Sequence, residues 1–139
     1  MRQDKGRIAE LKKGLCYCAS GMTFELCCQP ALDKIQRAKT AQALMRSRYS
    51  AFCMHNQDYL LNTWHPSTRP ESLAFETQQQ WLGLKVVHAA QGKEGDSKGT
   101  VEFVARYKIN GRAYRLHENS EFLCEDGLWF YTQGTLFDQ

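Results

Sequence analysis

Four cysteines fall within thirteen residues: Cys16-Tyr17-Cys18, then the adjacent pair Cys27-Cys28. This C-x-C-x8-C-C spacing constrains the chain more than any other feature. A tetrahedral ion needs four soft thiolates converging on one point, and the short loop Ala19-Ser20-Gly21 carries a permissive glycine that can fold two cysteine pairs together. The spacing differs from the paired C-x2-C knuckles of ordinary zinc ribbons. Two other readings stay open here. A disulfide framework is one, since six cysteines in 139 residues invite it. However, Met1 to Leu15 alternates charges with isolated apolar residues and lacks the apolar run of a secretory signal, so the chain reads as cytoplasmic, with reduced thiols. A redox pair is the other, but the C-x-x-C of such pairs is missing. The favoured reading is one structural zinc ion on Cys16, Cys18, Cys27 and Cys28. Four thiolates leave no open position for water, so such a site shapes a fold rather than catalysing. Cys53 and Cys124 stand alone in apolar surroundings and read as small buried hydrophobes.

Charge concentrates around the cysteines. The first 39 residues hold eight Lys/Arg against four Asp/Glu, and the remaining hundred hold ten against eleven. A tetrathiolate zinc centre carries about −2 itself, so half of the N-terminal excess is offset internally. The basic flank can meet acidic protein or RNA phosphate, or simply be solvated. No apolar run is long enough to span a membrane. With 42% apolar residues, the length suffices for one real core.

Along the chain, Ile8, Leu11 and Leu15 sit at helical spacing and predict a short N-terminal helix leading into the knuckle. Pro30 to Lys39 reads as a polar connector. Thr40 reads as the N-cap of a helix running to about His55, and Asp58 as the cap of a second, Tyr59 to Trp64, which Pro66 cannot continue. A third helix is predicted from Pro70 to Gln80. Beyond Trp81 four strands are expected: Leu82 to Ala90, Thr100 to Ile109, Arg112 to Glu125 and Leu128 to Gly134. Asn110-Gly111 and Asp126-Gly127 are two-residue hairpin signals. Helices first and an antiparallel meander afterwards give an α+β fold. The division expected is 1–33 for the metal-binding segment and 34–139 for the α+β domain.

Cys16-Tyr17-Cys18-Ala19-Ser20-Gly21 followed by Cys27-Cys28 resembles the SEC-C motif, the zinc-binding tail first known from the SecA translocation motor. That motif's pattern has proline where Tyr17 stands and glycine where Ala19 stands. The runs Ala43 to Phe52, Asp58 to Pro66, Trp81 to Leu84, Phe103 to Arg106 and His117 to Phe122 are similar to the bacterial YchJ family, and the likeness extends over nearly the whole chain from Leu15. Many members carry a second SEC-C motif at the C-terminus; this sequence ends at Gln139 without one. The resemblance implies the curved-sheet cone shared with nuclear transport factor two and ketosteroid isomerase. It also implies protein partners met through the knuckle, in export or at the ribosome, and a sheet face that can pair two copies. It implies no defined reaction.

Such a cone has a pocket between its helices and its concave sheet. On the first domain helix, Ala41, Leu44, Met45, Tyr49 and Phe52 share a face, with Arg48 in the middle of it and Arg46 pointing away. A core-facing arginine needs a partner, because an unpaired buried guanidinium is too costly. Alternation along the third strand turns Leu116, Glu118, Ser120, Phe122 and Cys124 to one side. An Arg48–Glu118 pair, with Ser120, is therefore expected inside the cone, and His65 is expected at its mouth. Such a pair more often fixes packing than turns over substrate. A catalytic alternative would use Glu118 or His65 as general base and Arg48 to hold an anionic oxygen. Against it, a carboxylate facing Arg48 would be weakly basic, unlike the isolated carboxyls of ketosteroid isomerase. His55, His88 and His117 have no metal spacing, and Trp81 and Trp129 suit core or cavity walls. The chain thus reads as a binding module rather than an enzyme, with a small-molecule pocket or enzyme as the rival.

Overall fold

The computed structural model describes residues 14–137. The helix predicted around Ile8 and Leu11 lies outside them. Three helices, α1 (Gln29–Leu32), α2 (Ala41–Cys53) and α3 (Gln57–Asn62), precede four strands: β1 (Gln79–Gln91), β2 (Lys98–Ile109), β3 (Arg112–Glu125) and β4 (Leu128–Leu136). The strands form one antiparallel sheet in sequence order. The fold is the α+β cone.

Local chemistry explains most element boundaries. Thr40 caps α2, its Oγ1 accepting from Ala43 N at 3.0 Å. Both hairpin turns place their central pair at positive φ, 51° and 82° at Asn110-Gly111 and 53° and 78° at Asp126-Gly127. That is what a turn matching the right-handed twist of a hairpin requires. On β2, Val101, Phe103 and Ala105 alternate inward and are buried, opposite Ser120, Glu118 and Leu116 of β3. Bulges between Trp81 and Gly83 and between Val86 and His88 interrupt the ladder of β1, as bends in a curved sheet do.

The connector from Pro30 is not wholly irregular, because Pro30 sits in the first turn of α1, where its missing N–H costs nothing. The cap of α3 is Asn56, not Asp58: its side chain accepts from Tyr59 N at 3.0 Å. Asn56 also closes α2, since its N–H reaches Ala51 O (2.8 Å) while that of His55 reaches Phe52 O (3.2 Å). His55 takes φ 55° between them. This is a Schellman close made without glycine, so α2 ends two residues before the expected His55. The third helix does not form: no helix spans 70–80, and β1 begins at Gln79 within it. From 72 to 76 burial alternates, with Leu73 and Phe75 turned inward, which is the period of an extended chain. Phe75 packs on Phe52 and His55, and Leu73 N donates to Gln57 Oε1.

The core gathers α2, α3 and the inner sheet face, with Leu44, Leu60, Val101, Phe122 and Trp129 almost fully buried. Replacing Thr40 by Ala is expected to lower stability by about 1 kcal/mol in urea denaturation, while Thr40→Ser retains most of it.

Candidate functional site

The cysteine knuckle is a miniature hairpin. Leu15 bridges Thr23, Cys16 N donates to Met22 O at 2.9 Å, and Phe24 N donates to Gly14 O at 2.7 Å. The turn between them uses Ala19 at φ 63° and Gly21 at φ 89°. Ala19 stands where the SEC-C pattern has glycine, and its left-handed backbone accounts for that preference. Tyr17, at the proline position, packs edge-on against Phe24.

The Sγ atoms of Cys16, Cys18, Cys27 and Cys28 all lie within 4.8 Å of one another. Cys18–Cys27 and Cys27–Cys28 are separated by 3.6 and 3.9 Å. A tetrahedral ion with metal–sulfur bonds of about 2.3 Å needs sulfurs about 3.8 Å apart, so the four thiols fit a metal centre of SEC-C type. All four are free of disulfides. Hydrogen bonding from Cys16 and Cys28 pulls the Cys18 thiol far below the ordinary range, whereas bonds to Cys16 and Cys18, then burial, push Cys28 far above it. Burial raises Cys27 to about 11.

The knuckle is fastened to α2. Arg46, which does point away from the cavity, donates from Nη1 to Cys18 O at 2.7 Å, and Cys16 Sγ lies 3.6 Å from Ser50 Oγ. Arg46 and Ser50 are four residues apart on one helix face. That spacing is visible in sequence, but nothing local says that the knuckle docks there.

Inside the cone, the expected residues converge only in part. Arg48, Glu118 and Ser120 line one cavity of about 190 Å³, together with Trp64, Trp81 and Tyr131. Ser120 Oγ donates to Glu118 Oε2 at 2.8 Å. The expected Arg48–Glu118 ion pair does not form. Arg48 Nη1 instead donates to Leu60 O and Thr63 Oγ1, both at 2.8 Å. Its Cζ lies 4.5 Å from the Tyr131 ring centroid and 5.1 Å from that of Trp64. Carbonyl, hydroxyl and π faces therefore hold this cation, which is 4% exposed. Burial lowers its pKa to about 10, leaving it charged at neutral pH. Thr63 and Tyr131 were not singled out from sequence. They meet Arg48 through a parallel bridge in which Tyr131 N donates to Thr63 O and His65 N to Tyr131 O.

His65 is not at the mouth. That bridge turns it to the far side of β4, where Nδ1 lies 2.7 Å from Ser67 Oγ and the ring packs on Phe130. Glu125 Oε2 is 3.0 Å from Nε2 but out of hydrogen-bonding geometry. Trp129 is also outside the cavity, donating to Lys39 O beneath the connector. Gly134 opposite Ser120 matters for Glu118, since a Cβ there would collide with the Glu118 carboxylate. His117 pairs with Glu102 at 2.7 Å, away from any metal group among the described residues.

A family model described as "YchJ, middle NTF2-like domain" matches residues 40–134. A UPF0225 protein from Chromobacterium violaceum is 48% identical over 125 residues, which cover 88% of this chain and 93% of the relative. A UPF0225 protein from Polaromonas naphthalenivorans is 49% identical over 116 residues, 84% of each. The solution structure of a SEC-C motif containing protein from Rhodopseudomonas palustris matches with a TM-score of 0.77 and 34% identity, over 88% of this chain and 98% of the other. The crystal structure of a SEC-C motif containing protein from Psychrobacter arcticus matches with a TM-score of 0.71 and 26% identity, over 93% and 85%.

Two stability outcomes follow from this geometry. Ala19→Gly should stabilise the protein by about 0.5–1 kcal/mol, because glycine takes φ 63° without penalty. Arg48→Lys should cost about 2–3 kcal/mol despite keeping the charge, because an ammonium has no flat face to lay against the two rings while reaching α3. Urea denaturation reads both.

Proposed function

The chain belongs to the YchJ family, and on that footing we propose that its four-cysteine knuckle binds one structural zinc ion and presents a docking surface for a protein partner. Zinc suits the donor set: four thiolates at tetrahedral spacing, with no ligand position left for water or substrate. In this reading residues 1–33 form the metal-binding segment and 34–139 the cone, the ion's part being to hold a turn that Ala19 alone makes costly.

The exposed side chains carry the partner half of the reading. Leu26 is 72% exposed and Ile35 78%, on either side of the metal ligands and α1. Beside Leu26 runs a groove of about 580 Å³ between knuckle and α2, whose lining includes Met22, Arg37, Lys39 and Arg46 and no acidic side chain. Apolar anchors beside a basic groove suit a protein segment that combines apolar and acidic residues. No helix among the described residues is long and apolar enough to cross a membrane.

Elemental analysis of protein purified without chelator should find one zinc per chain, and Cys27→Ser with Cys28→Ser should remove it. In affinity capture from cell extract, the partner held by intact protein should be lost both from that double variant and from Leu26→Asp, which keeps its zinc. A folded, zinc-free knuckle would refute the metal assignment. Undiminished capture by Leu26→Asp would refute the surface, and capture of RNA alone would reassign the basic groove to phosphate.

A further inference from the structure

The cavity between α2 and the concave sheet has no part in the metal-site reading. At about 190 Å³ it has room for about six waters at ~30 Å³ each. Its walls are mostly apolar: Met45, Phe52, Trp81, Phe103, Ala105 and Leu116. A space of this volume has room for a benzene-sized molecule beside the apolar walls. Phe52, Trp81 and Leu116 are only half-buried, so the space is not sealed within the core.

The polar groups in the lining are incompletely used. Arg48 spends Nη1 on Leu60 O and Thr63 Oγ1, while Nε and Nη2 have no hydrogen-bond partner among the described residues. The Trp64 Nε1–H is buried and has none either. Glu118 accepts from Ser120 at Oε2 and has the Tyr131 hydroxyl beside it, and a carboxylate with about four lone-pair sites still has acceptor capacity left. Donors on one side, a carboxylate on another and an aromatic void between them are groups that a native fold normally satisfies.

We infer that this cavity binds a small uncharged molecule with an aromatic or branched apolar body and a carboxamide-like head. The head's carbonyl oxygen accepts from Arg48 and Trp64, and its N–H donates to Glu118. Charge decides the class. The guanidinium and the Glu118 carboxylate cancel, so a ligand carboxylate or ammonium would bring an uncompensated charge into an apolar space, at high desolvation cost. A neutral head offering both an acceptor and a donor meets Arg48, Trp64 and Glu118 without that cost, and the buried Tyr49 hydroxyl, unpartnered in the same lining, can serve it too.

Benzamide, benzoate and benzylammonium share a body and differ in the charge of the head. Titrated into the full-length protein and followed by the Trp64 indole N–H resonance, benzamide should give saturable shifts. Benzoate and benzylammonium should bind at least about tenfold more weakly. In Glu118→Gln the cavity keeps only the positive charge, so benzoate should gain about tenfold over its wild-type affinity. The inference is overturned if no probe saturates, if benzoate binds wild type as tightly as benzamide does, or if Glu118→Gln leaves the ratio of benzoate to benzamide unchanged. Should that variant not fold, the wild-type order of the three probes decides alone.

Discussion

Arg48 is where the helices and the sheet are tied together. Its guanidinium lies against the Tyr131 and Trp64 rings and gives Nη1 to the C-terminal turn of α3. A carbonyl at a helix C-terminus carries partial negative charge, so the cation sits against a dipole as well as two π faces. These partners come from three places: α2 supplies the arginine, α3 and its C-terminal flank the acceptors and Trp64, and β4 the tyrosine. Moving any one of them would strand a buried charge, so their relative placement is sharply specified. The cavity is a consequence of that placement. Arg48 lines it from α2, Phe103 and Ser120 from the sheet, and Trp64, Trp81 and Tyr131 add aromatic walls.

The same helix serves the knuckle on another face. Arg46 and Ser50 reach Cys18 and Cys16, and the buried cysteines join the hydrophobic core around Leu44 and Tyr49. The convergence of the four thiols and the packing of the strip of chain that covers α2 are therefore one arrangement. The connector is drawn in likewise: Arg37 donates to Trp129 O and stacks on Phe130, while Trp129 donates to Lys39 O. Arg37 and Lys39 thus fasten the connector to β4, while Cys16, Cys18, Cys28 and Leu32 pack into the core.

Readings that depend on near neighbours agree with the structure. Thr40 caps its helix, the Asn-Gly and Asp-Gly turns connect the strands, and alternation on β3 turns Glu118 and Ser120 inward. The readings that differ involve competition between distant groups. Helical spacing from Pro70 yields to the alternating Leu73 and Phe75, because Phe52 and Gln57 offer an extended segment its partners. Asp58 is a good cap by type, but the Schellman close of α2 leaves Asn56 already in place.

The sequence by itself determined that four thiols converge, that a polar Arg48 enters the core and that an antiparallel meander follows. Each rests on spacing or periodicity within a few residues. Only the tertiary structure decided what Arg48 binds. Sequence pairs it with the nearest inward carboxylate, and Glu118 does line the same cavity, but Ser120 and not Arg48 gives it a hydrogen bond. Arg48 is bonded instead by the Leu60 carbonyl and the Thr63 hydroxyl, and the bridge between Trp64 and Tyr131 brings two rings against it. That bridge joins residues more than sixty positions apart, and it also turns His65 away from the cavity.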